Sequence, residues 1–429
     1  MPAMGPIVWP RRIFGPSWPG PSGRRILCGA AGFRRHLGNQ DWGCHRASSC
    51  NRSHLAAAMP LIQLWPMSTL CLAFFVSLSV TLALLRRAKT HGLWLQDHDL
   101  SGPQKLHGAP VPRVGGIGIY CGVLVAAATL WFRNPATSVL GLTVALCALP
   151  AFISGLTEDI TKTQSPRRRL FFTAVSAGIG VYVMDGVITR TAIPGLDWVV
   201  SLRWGAALVT VFAVAGVANS LNIIDGLNGL ASMCAVLFMV SIGYVAFQVG
   251  DTTLAWLAVA GIGAVMGFFV WNFPLGLIFL GDGGAYFLGF YVAELAILLL
   301  HRNPDVSPMF PLLVCIYPVF ETVFSIYRRV MLRGQPAGMP DGIHLHSLIY
   351  RRVMRWAAGN HSRRSLVRRN SLTSPYLWML SMTSIAPATL FWDSTPTLVA
   401  FILLFGLVYT SLYWRIVRFK APRWLIARH

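Results

Sequence analysis

The chain has 429 residues, of which 55% are hydrophobic and 12% charged, with a mean hydropathy of +0.57. That balance excludes an ordinary soluble globular domain. Lys and Arg outnumber Asp and Glu by 36 to 15, a formal charge of +21. The arginines flank apolar runs, and aromatic residues do not interleave with a basic patch, so the charge speaks for membrane topology and anionic headgroups and against nucleic acid.

Residues 1–58 are rich in Arg, Pro, Gly and Trp and hold no apolar stretch long enough to span a bilayer. They also lack the continuous apolar core of a secretory signal. This extension is expected to be disordered or to precede the true start, with Met59 and Met67 as the alternative starts. Residues 59–429 are expected to form one multi-spanning domain. Eleven apolar stretches follow, at roughly 67–85, 115–133, 137–156, 169–187, 201–221, 229–248, 253–271, 284–300, 308–326, 372–391 and 395–413. Most are about 17–22 residues long, enough to cross ~30 Å of hydrocarbon. Backbone groups in lipid must be satisfied within the segment, so the spans are helices. The predicted fold class is all-α and polytopic, with about 10–11 transmembrane helices. The eight cysteines show no CxxC or Cys/His metal spacing and imply no disulfide framework.

Orientation follows from the basic loops. Arg86, Arg87, Lys89, Lys105 and Arg113 follow the first span, and Lys162 and Arg167 to Arg169 follow the third. Ten arginines lie in 327–370, and the tail adds Arg415, Arg418, Lys420, Arg423 and Arg428. Positive loops stay cytoplasmic. On that same side fall four acidic clusters: Asp97 and Asp99 ahead of Lys105 and His107, the adjoining Glu158 and Asp159, Asp225, and Asp282. His344 and His346 join them. Asp185, Asp197, Asp251, Asp305 and Asp393 stand alone in the opposite loops and read as solvated loop residues.

Ionisable groups near lipid depth are costly and are kept mainly where they line a site. Clustered carboxylates with flanking amides, a lysine and a His-x-His pair suit a divalent metal and phosphate, since magnesium takes oxygen ligands from one or two carboxylates plus substrate phosphates. No G-x-x-x-x-G-K-[ST] sequence occurs, which argues against P-loop ATP hydrolysis. Asn219 and Asn222 could instead bond between helices, and Gly281-Asp282-Gly283 could be a plain turn. Glu294 and Glu321, inside spans, read as inter-helix hydrogen-bonding groups.

Five segments in order resemble the motifs of one family. They are Lys105-Leu106-His107-Gly108 with Pro112-Arg113-Val114-Gly115-Gly116, Gly155-Leu156-Thr157-Glu158-Asp159, Asn219 to Gly229, Phe279 to Gly283, and Asp341-Gly342-Ile343-His344-Leu345-His346. The family is that of the polyprenyl-phosphate sugar-1-phosphate transferases, and the resemblance covers roughly residues 67–415. Its members load N-acetylglucosamine-1-phosphate or phospho-N-acetylmuramoyl-pentapeptide onto undecaprenyl phosphate. Three departures stand out: Glu158 where the family commonly has Asp, Asn228 at its last acidic position, and a His-Leu-His-Ser loop instead of three histidines. The last argues for a nucleotide-sugar donor without a peptide.

The resemblance implies attack by a polyprenyl phosphate on the sugar-linked phosphorus of a UDP-sugar of the HexNAc type, releasing UMP, in the bacterial inner membrane. The product would feed a cell-envelope polysaccharide. It implies magnesium, or manganese in its place, with Asp282 as ligand and Asn222 as a carbonyl ligand. Asp159, with Glu158 in support, is expected to deprotonate or position the lipid phosphate. Asp225 and Asn228 are expected at the nucleotide or its ribose, and Lys105, His107, Asn219, His344 and His346 at substrate; a homodimer is left open. The rival class is a transporter for an anionic solute. Transporters place polar groups near the bilayer midplane on interrupted helices in repeated halves, whereas here the acids gather at helix ends.

Overall fold

A computed structural model describes residues 50–91, 111–334, 342–354 and 363–418. Lys105 and His107, with Asp97, Asp99 and Asp341, lie outside the described residues. Among the described residues there is no strand, and the elements are helices joined by short turns. In chain order they are α1 (Cys50–His91), α2 (Gly116–Thr129), α3 (Pro135–Cys147), α4 (Leu149–Thr161), α5 (Pro166–Met184), α6 (Leu196–Ser201) and α7 (Arg203–Ile224). There follow α8 (Leu230–Gln248), α9 (Thr252–Asn272), α10 (Gly281–Arg302), α11 (Phe310–Val314), α12 (Ile316–Tyr327), α13 (Leu345–Leu348), α14 (Arg363–Leu390) and α15 (Thr395–Val417). The packing described here belongs to the unit Ala57–His429.

Each predicted apolar stretch coincides with helix, though not every stretch is one long, unbroken helix. Among the described residues, six helices are individually long and apolar enough to cross a membrane, or seven if α3 and α4, bent by 44°, form one span. Prolines account for much of the difference. Pro150 and Pro318 have no N–H to give and would press on the carbonyl four residues back. The helix accordingly restarts just ahead of each, at Leu149 and at Ile316. The predicted spans 137–156 and 308–326 are thus each two helices. The start of α5 carries Arg167, Arg168 and Arg169, which lowers its mean apolarity.

Local sequence sets the helix starts. Asn134, Ser165 and Asp251 accept the N–H of Thr137, Arg168 and Leu254 respectively, supplying the side-chain acceptors that helix N-termini need. Pro135 and Pro166 occupy first-turn positions where a missing N–H does no harm.

Helix α10 is the axis of the bundle, buried along its apolar length. Small residues let its neighbours come close. A Cβ on Gly155 of α4 would stand 2.5 Å from the backbone nitrogen of Gly283, and one on Gly116 of α2 would stand 2.3 Å from Cα of Gly284. A Cβ on Gly289 would fall 2.5 Å from Cα of Ala218 on α7. Three helices therefore meet α10 at near-backbone contact, two of them at its first turn. Deeper down, Tyr120, Phe152 and Phe287 pack ring against ring, and the Tyr120 and Tyr291 hydroxyls donate to the carbonyls of Ala145 and Leu257.

Glu294, on the same helix, is fully buried, and neither carboxyl oxygen has a hydrogen-bond partner among the described residues. Its carboxyl lies against Gly180 of α5. The inter-helix hydrogen bond expected of it is absent there.

Candidate active site

The first turn of α10 is built from three directions. Residues 112–116 lace onto the strand-like lead-in to the helix: Phe279 N–H donates to Pro112 O at 2.8 Å, while Gly115 and Gly116 N–H donate to Phe279 O and Leu280 O at 3.0 Å. Asn272 ties the same lead-in to the turn before α8, with its amide on Ile278 O and its Oδ1 receiving Gly229 N–H. Helix N-termini leave N–H groups without intrahelical partners. Here a carboxylate takes two of them: Asp159 accepts from Asp282 N–H and Gly283 N–H, both at 2.9 Å, and Asp225 lies near the Gly281 N–H. Two carboxylates from the ends of α4 and α7 thus meet the helix that carries the third.

Asp282 itself is met by two guanidinium groups. Arg113 Nη2 lies 3.4 Å from Oδ1, and Arg169 Nη1 bonds Oδ2. Arg113 Nε also stands 3.7 Å from Asp159 Oδ1. Only 1% of the Asp159 side chain is exposed, against 9% for Asp282, 26% for Arg113 and 18% for Arg169. The open edge of the cluster is therefore formed by the arginines and Asp282, with Asp159 behind. Burial holds the Asp225 carboxyl well above the usual carboxylate range; Arg113 draws it down, and the Asp282 and Asp159 charges push it up.

The adjoining pair splits its work. Glu158 Oε2 accepts Gln164 N–H at 2.6 Å, closing the turn after α4, while its charge still acts on Arg169 and on Tyr286 of α10. Asn222 lies next to the cluster, its Oδ1 3.5 Å from the Tyr286 hydroxyl. Two other amides bond within the bundle. Asn219 donates to Thr173 Oγ1 and Ala215 O, at 3.0 and 2.8 Å. Asn228, 4% exposed, joins α14: its N–H goes to Asn370 Oδ1, its amide to Ser371 Oγ, and its carbonyl receives Ser374 Oγ.

The histidines gather on Glu321 of α12. Glu321 Oε1 accepts Leu345 N–H at 2.6 Å and stands 3.4 Å from His346 Nδ1 and 3.6 Å from His344 Nδ1. The two rings stack at 5.3 Å. With its Nδ1 side held by the carboxylate, His346 turns Nε2 toward the turn after α7, 3.3 Å from where a Cβ on Gly226 would stand. Glu321 therefore acts as the anchor of the histidine loop.

In the sequence Arg169 reads only as a topology signal, and Arg113 as a topology signal within a motif, neither with a role at the site. The signal for Arg169 was its register. Ser165 starts α5, and 169, 173, 176, 177 and 180 then fall on one helix face. That face is the inward one, with Thr173, Ser176, Ala177 and Gly180 buried, while Arg167 and Arg168 are exposed.

Among the described residues no three His, Cys, Asp or Glu side chains are grouped as a metal cage. The donors present nevertheless fit magnesium. Asp282 is a hard oxygen donor, and a guanidinium cation already stands on it. Magnesium commonly takes one or two carboxylates and completes its shell with water and phosphate.

Residues 141–300 match the family model described as Glycosyl transferase family 4. The chain is 30% identical over 283 residues, covering 65% of its length and 77% of the relative's, to a "Probable undecaprenyl-phosphate N-acetylglucosaminyl 1-phosphate transferase" of Bacillus subtilis. It is 28% identical over 261 residues, 60% of this chain and 74% of the relative, to an undecaprenyl-phosphate alpha-N-acetylglucosaminyl 1-phosphate transferase of Thermotoga maritima. A phospho-N-acetylmuramoyl-pentapeptide-transferase of Geobacillus kaustophilus is 31% identical over 252 residues, 54% of this chain and 76% of the relative.

Proposed function

Since the chain belongs to glycosyl transferase family 4, we propose that it is a multi-pass membrane enzyme moving a sugar-1-phosphate from a UDP-sugar to undecaprenyl phosphate. The relatives named for undecaprenyl phosphate and N-acetylglucosaminyl 1-phosphate support the acceptor and a HexNAc donor. An oxygen of the lipid phosphate attacks the sugar-linked phosphorus of the donor. The bond from that phosphorus to the bridging oxygen breaks, and UMP leaves with it. The lipid becomes a diphospho-sugar, the first membrane-bound step toward a cell-envelope polysaccharide. The basic loops on the side of the acidic motifs support activity at the cytoplasmic face, and the bacterial relatives support a bacterial inner membrane.

The observation that carries this reading is the convergence of Asp159, Asp225, Asp282, Arg113 and Arg169 on one helix N-terminus. A phosphate monoester has its second pKa near ~6, so at neutral pH the lipid phosphate is already largely dianionic. Its attack needs charge neutralisation and alignment more than a strong base, in keeping with phosphoryl transfer at large. Arg113 and Arg169 supply planar donors suited to phosphate oxygens, and His346 closes the site from the loop held by Glu321. Asp282 would hold magnesium, with the Asn222 carbonyl as a second donor. The ion, when bound, would neutralise charge on the transferring phosphoryl group. Asp159 and Asp225 fix the helix on which Asp282 sits. Lys105 and His107 are assigned to substrate phosphate by their motif.

Purified protein in nanodiscs, given undecaprenyl phosphate, magnesium and a panel of UDP-sugars, should release UMP with one HexNAc donor and only when the lipid is present. UMP release independent of the lipid, or none with any donor, would overturn the reading.

A further inference from the structure

Asp282 cannot hold a divalent cation on both oxygens while two guanidinium groups stand on them. Arg113 is shared with Asp159, as a framework ion pair would be. Arg169 pairs with Asp282, with the Glu158 charge also near it, from the first turn of a different helix, and its neighbours on α5, Arg167 and Arg168, point outward. It has a long side chain and a partly exposed head at the open edge of the cluster. Like charges so close repel strongly in a site that excludes water.

We infer that Arg169 is an exchange residue: it occupies Asp282 as a resident cation in the unliganded enzyme and leaves it for a phosphate of the nucleotide when metal and substrate enter. The inference rests on the reading of Asp282 as the metal ligand. It makes Arg169 a positioning residue that couples the two binding events, so that the metal binds weakly until a phosphate is there to draw the guanidinium away. Arg suits both stations, because its planar fork bonds carboxylate and phosphate alike. Leaving Asp282 with only the shared Arg113 would instead favour metal binding with no substrate present.

The test uses the full chain in nanodiscs, with Mn2+ as the probe for metal, counted by electron paramagnetic resonance, and UMP as the probe for phosphate, followed by calorimetry. Arg169→Gln should bind Mn2+ more tightly than the parent in the absence of UMP, by a factor in the range of about 5–150 typical of coupled sites. It should also bind UMP more weakly without metal. Arg169→Lys, which keeps a charge but not the fork, should fall between the two, and thermal unfolding confirms that both variants are folded. A structural ion pair with no part in substrate binding would leave metal-free UMP affinity unmoved, and that result overturns the proposal. So does Arg169→Gln with Mn2+ affinity unchanged or lower. Asp282→Asn separates the two levels: if it leaves Mn2+ binding intact, the metal site itself is misassigned and the exchange falls with it.

Discussion

Asp159→Asn tests whether the buried carboxylate holds the helix or activates the lipid. In the structure both Asp159 oxygens accept backbone N–H groups, from Asp282 and Gly283. Asparagine keeps one acceptor and turns an NH2 group toward the other N–H. The loss is one hydrogen bond to a charged group, worth about 1.5–3 kcal/mol. Removal of a negative charge from a helix N-terminus adds about 0.3–1 kcal/mol. The sum, roughly 2–4 kcal/mol, would slow turnover by about 30- to 1000-fold if it is all felt in the transition state. A base would cost a similar factor, about 10²–10⁴, so rate alone does not discriminate. Metal affinity does. If Asp159 positions α10, the variant should bind Mn2+ more weakly, and its thermal unfolding should shift downward along with the loss of UMP release. A fall in turnover with Mn2+ affinity, UMP affinity and unfolding temperature all at parental values would refute the positioning role and restore Asp159 as the base.

Four further variants test the same geometry. Glu158→Gln should retain activity within about threefold, less than ~0.7 kcal/mol of barrier, because the amide oxygen can still accept Gln164 N–H; UMP release measures it. Glu321→Gln should fold, since Leu345 N–H keeps an acceptor, yet lose about tenfold or more in UMP release as the histidines lose their anionic partner. Glu321→Ala should unfold earlier as well, by about 1–3 kcal/mol for the orphaned N–H. Gly155→Ala places a Cβ 2.5 Å from Gly283 nitrogen, and overpacking of that kind costs about 1–3 kcal/mol, visible in thermal unfolding together with loss of activity.

Much of this architecture was written in the order of the residues. Apolar runs gave the helices, and the acidic motifs sit where helices end or begin on one side, so a chain that crosses back and forth must bring Asp159, Asp225 and Asp282 together there. The division of labour among neighbours was not legible. Glu158 and Asp159 are adjacent, but a helix turns about 100° per residue, so one closes a turn while the other meets α10. Asn228 resembles a ligand-binding amide in its motif, yet its partners Asn370 and Ser371 lie more than a hundred residues downstream. No local pattern announces such a pairing. Arg169 was hidden among three consecutive arginines, and only the register set by Ser165 separates it from the two that face outward.

The most direct test of the central claim follows the phosphorus atom. With UDP-N-acetylglucosamine labelled by 32P at the sugar-linked phosphate, purified protein and undecaprenyl phosphate should move the label into the lipid fraction. One UMP should appear per labelled lipid, and Asp282→Asn should stop both. If UMP forms while the label stays in water, or if label crosses sealed vesicles unchanged, the chain is not a sugar-1-phosphate transferase.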